Sequence, residues 1–182
     1  MIIVEGPDNS GKSTLINQLI KDLELKEVKR TFHGPTTDIE NLYSRTLEVI
    51  NAAIKTDQPN IIIDRFSLIG EDIYGPILRG KNLWDVIPQD KIKFWQAVNK
   101  LNPFIIYCRP SLDVILDMKN HQVKIYDTPE HVKRVQEKQK LIVSAYDNYF
   151  ANWKSHNFYS YDYKDKNSYL ELKFRLKEYL KW

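Results

Sequence analysis

Residues 6 to 13, Gly6-Pro7-Asp8-Asn9-Ser10-Gly11-Lys12-Ser13, follow directly on the apolar run Met1 to Val4 and precede an amphipathic stretch. They match G-x-x-x-x-G-K-[ST] in full, a pattern that a random chain of this length carries in well under about 1% of cases. Placed between a buried strand and a helix, such a stretch has few ways to fold. Its glycines let successive N–H groups turn inward, and the following helix adds its positive end, so the loop forms a nest for di- or triphosphate oxygens. Gly6, Asn9, Ser10, Gly11, Lys12, Ser13 and Thr14 are the expected nucleotide contacts. Lys12 would neutralise the β and γ oxygens of ATP, and Ser13 would hold Mg²⁺.

The rest of the chain alternates between two periods. Met1 to Val4, Ile61 to Ile63 and Phe104 to Cys108 are continuous apolar runs of the kind found in parallel strands covered on both faces, and further strands are expected near 28–32 and 157–161. Between them lie helical patterns. Leu15, Ile16, Leu19, Ile20 and Leu23 share one stripe, and position 37 with Glu40 forms a capping-box pattern ahead of Ile39, Leu42, Tyr43, Leu47, Ile50 and Ile54. A helix follows Asp64-Arg65 to about Leu78, and another is opened by Asp90 with Ile92, Trp95 and Val98 on one face. Arg109-Pro110-Ser111 introduces a short helix. Thr128 caps a long one with Pro129 at its first position, buried through Val132, Val135, Ile142, Ala145 and Tyr149. Ser168 and Glu171 open the last, carried by Leu172, Leu176 and Leu180. Strands alternating with helices predict an α/β fold whose ligands sit at the carboxyl ends of parallel strands.

Composition narrows the partners. The 182 residues are 42% hydrophobic and 28% charged, as expected for one domain spanning 1–182. Net charge is only +3, with lysines interleaved among acids, so no basic face announces duplex DNA. Anionic small molecules remain as partners. The single cysteine, Cys108, has no internal disulfide partner, and no apolar run approaches the roughly 18 residues of a bilayer span; the expected location is the cytoplasm. Aromatic residues at 12% would serve a homodimer interface as readily as a core.

Asp64, at the end of Ile61 to Ile63, stands where it either reaches a metal-bound water or substrate hydroxyl, or caps the next helix. Arg65 pairs either with phosphate or with a surface acid.

Together these residues resemble the thymidylate kinase and deoxynucleoside kinase group of P-loop kinases. Glu5-Gly6-Pro7-Asp8 with Ser10-Gly11-Lys12-Ser13-Thr14 is similar to the thymidylate kinase loop, which carries an aspartate at the place of Asp8; deoxynucleoside kinases usually lack it. The resemblance implies a P-loop three-layer fold: a five-stranded parallel sheet in the order 2-3-1-4-5, helices on both faces, and a small lid near 119–128. It implies that Asp8 faces the acceptor's 3′ hydroxyl. Asp64-Arg65-Phe66 resembles the family's Asp-Arg-aromatic element, with the acid near acceptor and magnesium and the arginine on phosphate. Lys12, Asp64 and Arg65 are then the catalytic group, and Ser13 with Asp64 the metal ligands. Arg45 falls near the family's acceptor-phosphate arginine, or is a solvated helix charge. Pro35 would line the acceptor pocket, and Tyr74 stands about one place from a family tyrosine. Tyr43, Phe66 and Trp84 either stack on a base or belong to the core. Of these rings, Phe66 is carried forward with Asp8, Pro35, Arg45 and Tyr74 as an acceptor-binding residue.

The chain also departs from the pattern. Thymidylate kinases place an arginine in the loop or the lid, and none occurs here between Arg109 and Arg134. Lys119 or Lys124 in the lid, or else Arg134, would take its place. Tyr107-Cys108-Arg109-Pro110 is instead similar to the Tyr-Leu-Arg turn of deoxynucleoside kinases, which adds Arg109 to the nucleotide contacts. The expected reaction is Mg²⁺-dependent phosphoryl transfer from ATP to a nucleotide, foremost a deoxynucleoside monophosphate. Alternatives are a nucleoside acceptor, with Asp64 as base, or a modified pyrimidine within DNA. A different class, an ATP-binding switch or ATPase, lacks its expected signatures: Asn99-Lys100-Leu101-Asn102 has no closing acid, and no Asp-Glu pair follows a strand.

Overall fold

The computed structural model describes residues 1–27, 38–56, 60–117, 128–153 and 155–181. Among these, four strands of four or five residues form a parallel sheet: β1 (Ile2–Glu5), β3 (Ile61–Asp64), β4 (Phe104–Cys108) and β5 (Phe158–Tyr161). The two-residue β2 (Lys26–Glu27) pairs with the outer side of β3, and neighbours run β2-β3-β1-β4-β5. The strand expected near 28–32 lies outside the described residues. In the central register Ile3 faces Ile63 on one side and Ile105 on the other, and Val4 lies opposite Asp64.

The period of two explains why these runs are apolar throughout. Ile3, Ile61, Ile63, Ile105 and Tyr107 point to one face, where α2 (Ile39–Thr56), α3 (Ser67–Arg79), α4 (Pro88–Lys100) and α6 (Pro129–Ala151) cover them. Ile2, Val4, Ile62, Phe104, Ile106 and Cys108 point to the other, beneath α1 (Lys12–Asp22) and α7 (Ser168–Leu180). Each such side chain contributes about 1.5–3 kcal/mol by leaving water, so neither face tolerates a polar residue cheaply. Burial pushes the Cys108 thiol up to about 12.

Helix boundaries follow local chemistry, not always as the sequence suggested. Asp38 Oδ1 accepts the Asn41 N–H at 2.8 Å and takes the cap of α2; position 37 lies outside the described residues. α4 starts at Pro88 rather than Asp90, and its buried residues are Phe94 and Val98, with Ile92 half exposed. α5 (Leu112–Leu116) is short. Thr128 caps α6 as expected, accepting the His131 N–H, but its buried stripe runs through Val135, Gln139, Ile142, Val143, Tyr146 and Phe150. At α7 the Ser168 hydroxyl accepts the Asp162 N–H and Asn167 occupies the cap position. No helix among the described residues is long and apolar enough to cross a membrane.

Candidate active site

β1 and β3 are adjacent and parallel, so the loop leaving β1 and the Asp64-Arg65 turn leaving β3 emerge side by side at the carboxyl edge of the sheet. The loop is tightly wound. Gly6 has φ 146° and Gly11 φ 83°, and Asn9 takes the left-handed region at φ 63°. A side chain at Gly6 would strike the Cys108 carbonyl, so the loop lies directly against the end of β4.

Lys12 is buried with its ammonium folded back into the loop. Its Nζ donates to the Pro7 carbonyl at 2.5 Å and to Ser10 Oγ at 3.4 Å. Burial pulls its pKa down to about 8, with the Arg65 charge adding to the effect; Asp8 and Asp64 oppose it. An anion in the loop would restore what burial removes. Ser10 is buried, whereas Ser13 and Thr14 lie exposed on the first turn of α1.

Asp8 faces the Asp64-Arg65 turn. Its carboxylate accepts from Arg65 Nη2 and, at 3.5 Å, from the Tyr74 hydroxyl, and the Arg65 guanidinium lies 5.2 Å from the centre of the Tyr74 ring. Burial works against the Arg65 charge; Asp8 first, then Tyr74, Tyr146 and Asp64, outweigh it. Burial likewise pushes the Tyr74 hydroxyl above its ordinary range, so it serves as a neutral donor. α3 begins behind Phe66, whose side chain makes no cap. Arg45 is 6% exposed, which removes the reading of a solvated helix charge. The next residue, Thr46, has its hydroxyl 2.5 Å from Ser67 Oγ, so this turn of α2 packs against the start of α3.

One expected contact is corrected, and two others have protein partners in this structure. Phe66 is fully buried and meets Trp95 edge-on at 6.2 Å, so it is core and offers no face to a base; Trp84 is likewise buried, and Tyr43 packs on Phe94. The Arg109 guanidinium is bound to Asp147 by Nε at 2.7 Å and Nη2 at 2.9 Å, and to the Pro110 carbonyl by Nη1. Its fork fits a carboxylate on α6 and ties that helix to the end of β4, with the Tyr107 hydroxyl donating to the same acid. The Asn9 side-chain amide donates to the carbonyls of Val114 and Asp117, so it fastens α5 and leaves only its main chain for nucleotide. Pro35, Lys119 and Lys124 lie outside the described residues.

The sequence reading assigned no role to three further residues. Glu5 is fully buried; its Oε1 accepts the Phe66 N–H at 2.5 Å and its Oε2 the Tyr146 hydroxyl at 3.1 Å. Burial raises its pKa to about 7, against the Phe66 N–H, Arg65, Lys12 and Tyr146, which hold it down. Gln139 donates from Nε2 to the Asp8 carbonyl at 2.8 Å. An acid ending an apolar strand and an amide within an apolar helical stripe were available signals for Glu5 and Gln139. Tyr146 gave none.

The donor set suits magnesium. Among the described residues no group of three or more His, Cys, Asp or Glu forms a metal cage. Magnesium in phosphate sites uses one or two protein oxygens, with water and phosphate completing six. The exposed Ser13 hydroxyl, on the first turn of α1, and the half-buried Asp64 carboxylate, at the end of β3, are donors of that kind.

The chain matches no protein-family model and no curated protein. Its architecture is nevertheless shared. It resembles the YorR protein of Bacillus subtilis, solved with phosphorylated GDP, at TM-score 0.66 and 20% identity over 98% of this chain and 96% of that one. It resembles deoxyadenosine kinase from M. mycoides solved with dCTP at TM-score 0.62 and 20% identity, over 98% of this chain and 100% of the other. The same kinase with dATP superposes at TM-score 0.57 and 19% identity, over 97% and 98%. The likeness is one of fold: this chain shares the α/β architecture of these solved structures.

Proposed function

We propose that this protein transfers the terminal phosphoryl group of ATP, with Mg²⁺, to a nucleoside or nucleotide acceptor. The observation that carries the reading is the paired edge: a buried lysine folded into a glycine-wound loop, beside an aspartate and an arginine that leave the neighbouring strand, the arginine meeting Asp8 of that loop. Phosphoryl transfer asks little covalent chemistry of a protein; it asks for alignment, charge neutralisation and exclusion of water. Lys12 and the loop amides hold the donor phosphates. Ser13 and Asp64 would hold Mg²⁺, which would supply neutralisation of phosphate charge. Arg65 and Arg45 hold the acceptor side, with Asp8 and Tyr74 orienting it.

A deoxynucleoside monophosphate suits the half-buried Arg65, which meets the loop at Asp8, together with the buried Arg45 of α2. A second acceptor class, a deoxynucleoside, is favoured by the likeness to deoxyadenosine kinase along the whole chain and by Arg65 being already occupied with Asp8. The hydroxyl of such an acceptor starts neutral, and Asp64 takes its proton. Incubation with γ-labelled ATP and a panel of nucleosides, deoxynucleoside monophosphates, and single- and double-stranded DNA separates these cases. Label transferred to a nucleoside or a monophosphate identifies the acceptor class; label on DNA would move the acceptor to a base within a strand. Label released only as free phosphate would refute the kinase reading.

A further inference from the structure

Arg65 is held in a conformation its side chain disfavours. Its φ is 61°, in the left-handed region where the Cβ of a residue other than glycine is crowded by the backbone. Such a residue persists only where its surroundings hold it. Here both neighbouring amides are tied to β1: the Arg65 N–H donates to the Val4 carbonyl at 2.9 Å, and the Phe66 N–H donates to Glu5 Oε1 at 2.5 Å. The second Glu5 oxygen is fixed by the Tyr146 hydroxyl of α6. With both oxygens engaged and no surface exposed, Glu5 cannot reach an acceptor hydroxyl and is no general base.

We propose that Glu5 is a positioning residue: by accepting the Phe66 N–H it locks Arg65 in the left-handed turn that presents the guanidinium to Asp8 and to the acceptor. This rests on the reading of Arg65 as an acceptor contact. Without that acceptor the Phe66 amide is buried and unsatisfied, and the turn relaxes toward an ordinary backbone conformation. The guanidinium then leaves Asp8, while the loop around Lys12 keeps its glycines and its grip on ATP.

The test compares Glu5→Gln, which keeps an acceptor oxygen, with Glu5→Leu, which keeps the volume and loses it. Both are made in the wild-type and Arg65→Ala backgrounds. Glu5→Gln is expected to stay within about threefold of wild type, and Glu5→Leu to raise the acceptor KM about tenfold or more with the ATP KM unchanged. In the Arg65→Ala background that increment disappears. An equal rise in both KM values, or the same increment without Arg65, overturns the proposal. If Glu5→Leu does not fold, Glu5→Asp withdraws the carboxylate by one methylene and is expected to give the same Arg65-dependent pattern. Crystal structures of wild type and Glu5→Asp give a readout free of activity: Arg65 leaves the left-handed region in the variant if the proposal holds, and keeps its φ and its Asp8 pair if it fails. A wild-type protein that transfers no phosphate refutes the kinase reading alone, and the two crystal structures still decide the role of Glu5.

Discussion

The two glycines of the loop are not equivalent, and the difference predicts the cost of filling each with a methyl group. A Cβ at Gly6 would stand 2.6 Å from the Cys108 carbonyl and 2.8 Å from Ser10 Oγ, on a backbone at φ 146°. That carbonyl belongs to β4, a fully buried strand that cannot withdraw without disturbing its pairing with β1. A glycine-only conformation costs about 1–3 kcal/mol when imposed on alanine, and overpacking against a rigid wall about 1–3 more. At Gly11 the obstacle is the Tyr163 ring, 2.9 Å from the added carbon, and that ring is 40% exposed. It can swing aside at a small cost of its own, so most of the loss is the left-handed backbone cost of about 1–2 kcal/mol. Gly6→Ala should therefore destabilise by about 3–5 kcal/mol and lower Tm by about 10 °C or more, and Gly11→Ala by about half that or less. Calorimetry or urea titration of both variants measures this. Adding Tyr163→Ala should recover part of the Gly11→Ala loss and nothing at Gly6. Equal losses at the two positions, or no interaction between Gly11 and Tyr163, would refute the account of what walls the loop.

Other outcomes follow from the same geometry. Lys12→Met should abolish phosphoryl transfer, a loss of about a hundredfold or more in kcat, while Tm stays level or rises, because a buried ammonium is replaced by a side chain without a desolvation cost. Retained turnover would remove Lys12 from the mechanism. Arg65→Ala and Arg45→Ala should each raise the acceptor KM about tenfold with little change for ATP, since a hydrogen bond to a charged group is worth about 1.5–3 kcal/mol; equal effects on both substrates contradict their assignment. Glu5 makes stability fall as pH rises: its folded pKa of about 7 lies above its ordinary 4.5, so the folded state holds the extra proton between those values. About 3 kcal/mol should be lost from pH 4.5 to 7 and little beyond, and Glu5→Gln should flatten that slope in urea titrations; an unchanged slope assigns it to other groups.

What the sequence made legible was whatever depends on neighbours in the chain. The strands at Ile61–Asp64 and Phe104–Cys108 could be read because both faces of each are covered, which forces an unbroken apolar run. Thr128 and Pro129 marked the start of α6 because a cap acts within one turn. Partners distant in sequence left no such trace. Arg109 lies 38 residues from the carboxylate that claims it, and Gln139 lies 131 residues from the Asp8 carbonyl. Phe66 misled for a related reason: an aromatic ring beside a phosphate-type arginine suggests stacking, but the left-handed turn at Arg65 sends the chain inward, so arginine and phenylalanine face opposite ways, one to the loop and one to the core.

On the proposed function, the same turn makes phosphoryl transfer depend on a four-residue strand. β1 lies between β3 and β4, and its last residues do three things at once. The Val4 carbonyl and Glu5 carboxylate fix the backbone on either side of the Arg65 side chain, and Gly6 starts the loop that folds Lys12 inward. Donor grip and acceptor grip are thus set by successive residues of one rigid element, with no hinge between them. A perturbation of the core beneath β1, such as Leu15→Ala on α1, should then impair both grips together, whereas one on α3, such as Tyr74→Phe, should reach the acceptor alone. Steady-state KM values for ATP and acceptor in these two variants decide the point: a shared loss in the first and a one-sided loss in the second are required if β1 is the common anchor, and a one-sided loss in the first would mean that loop and turn are held independently.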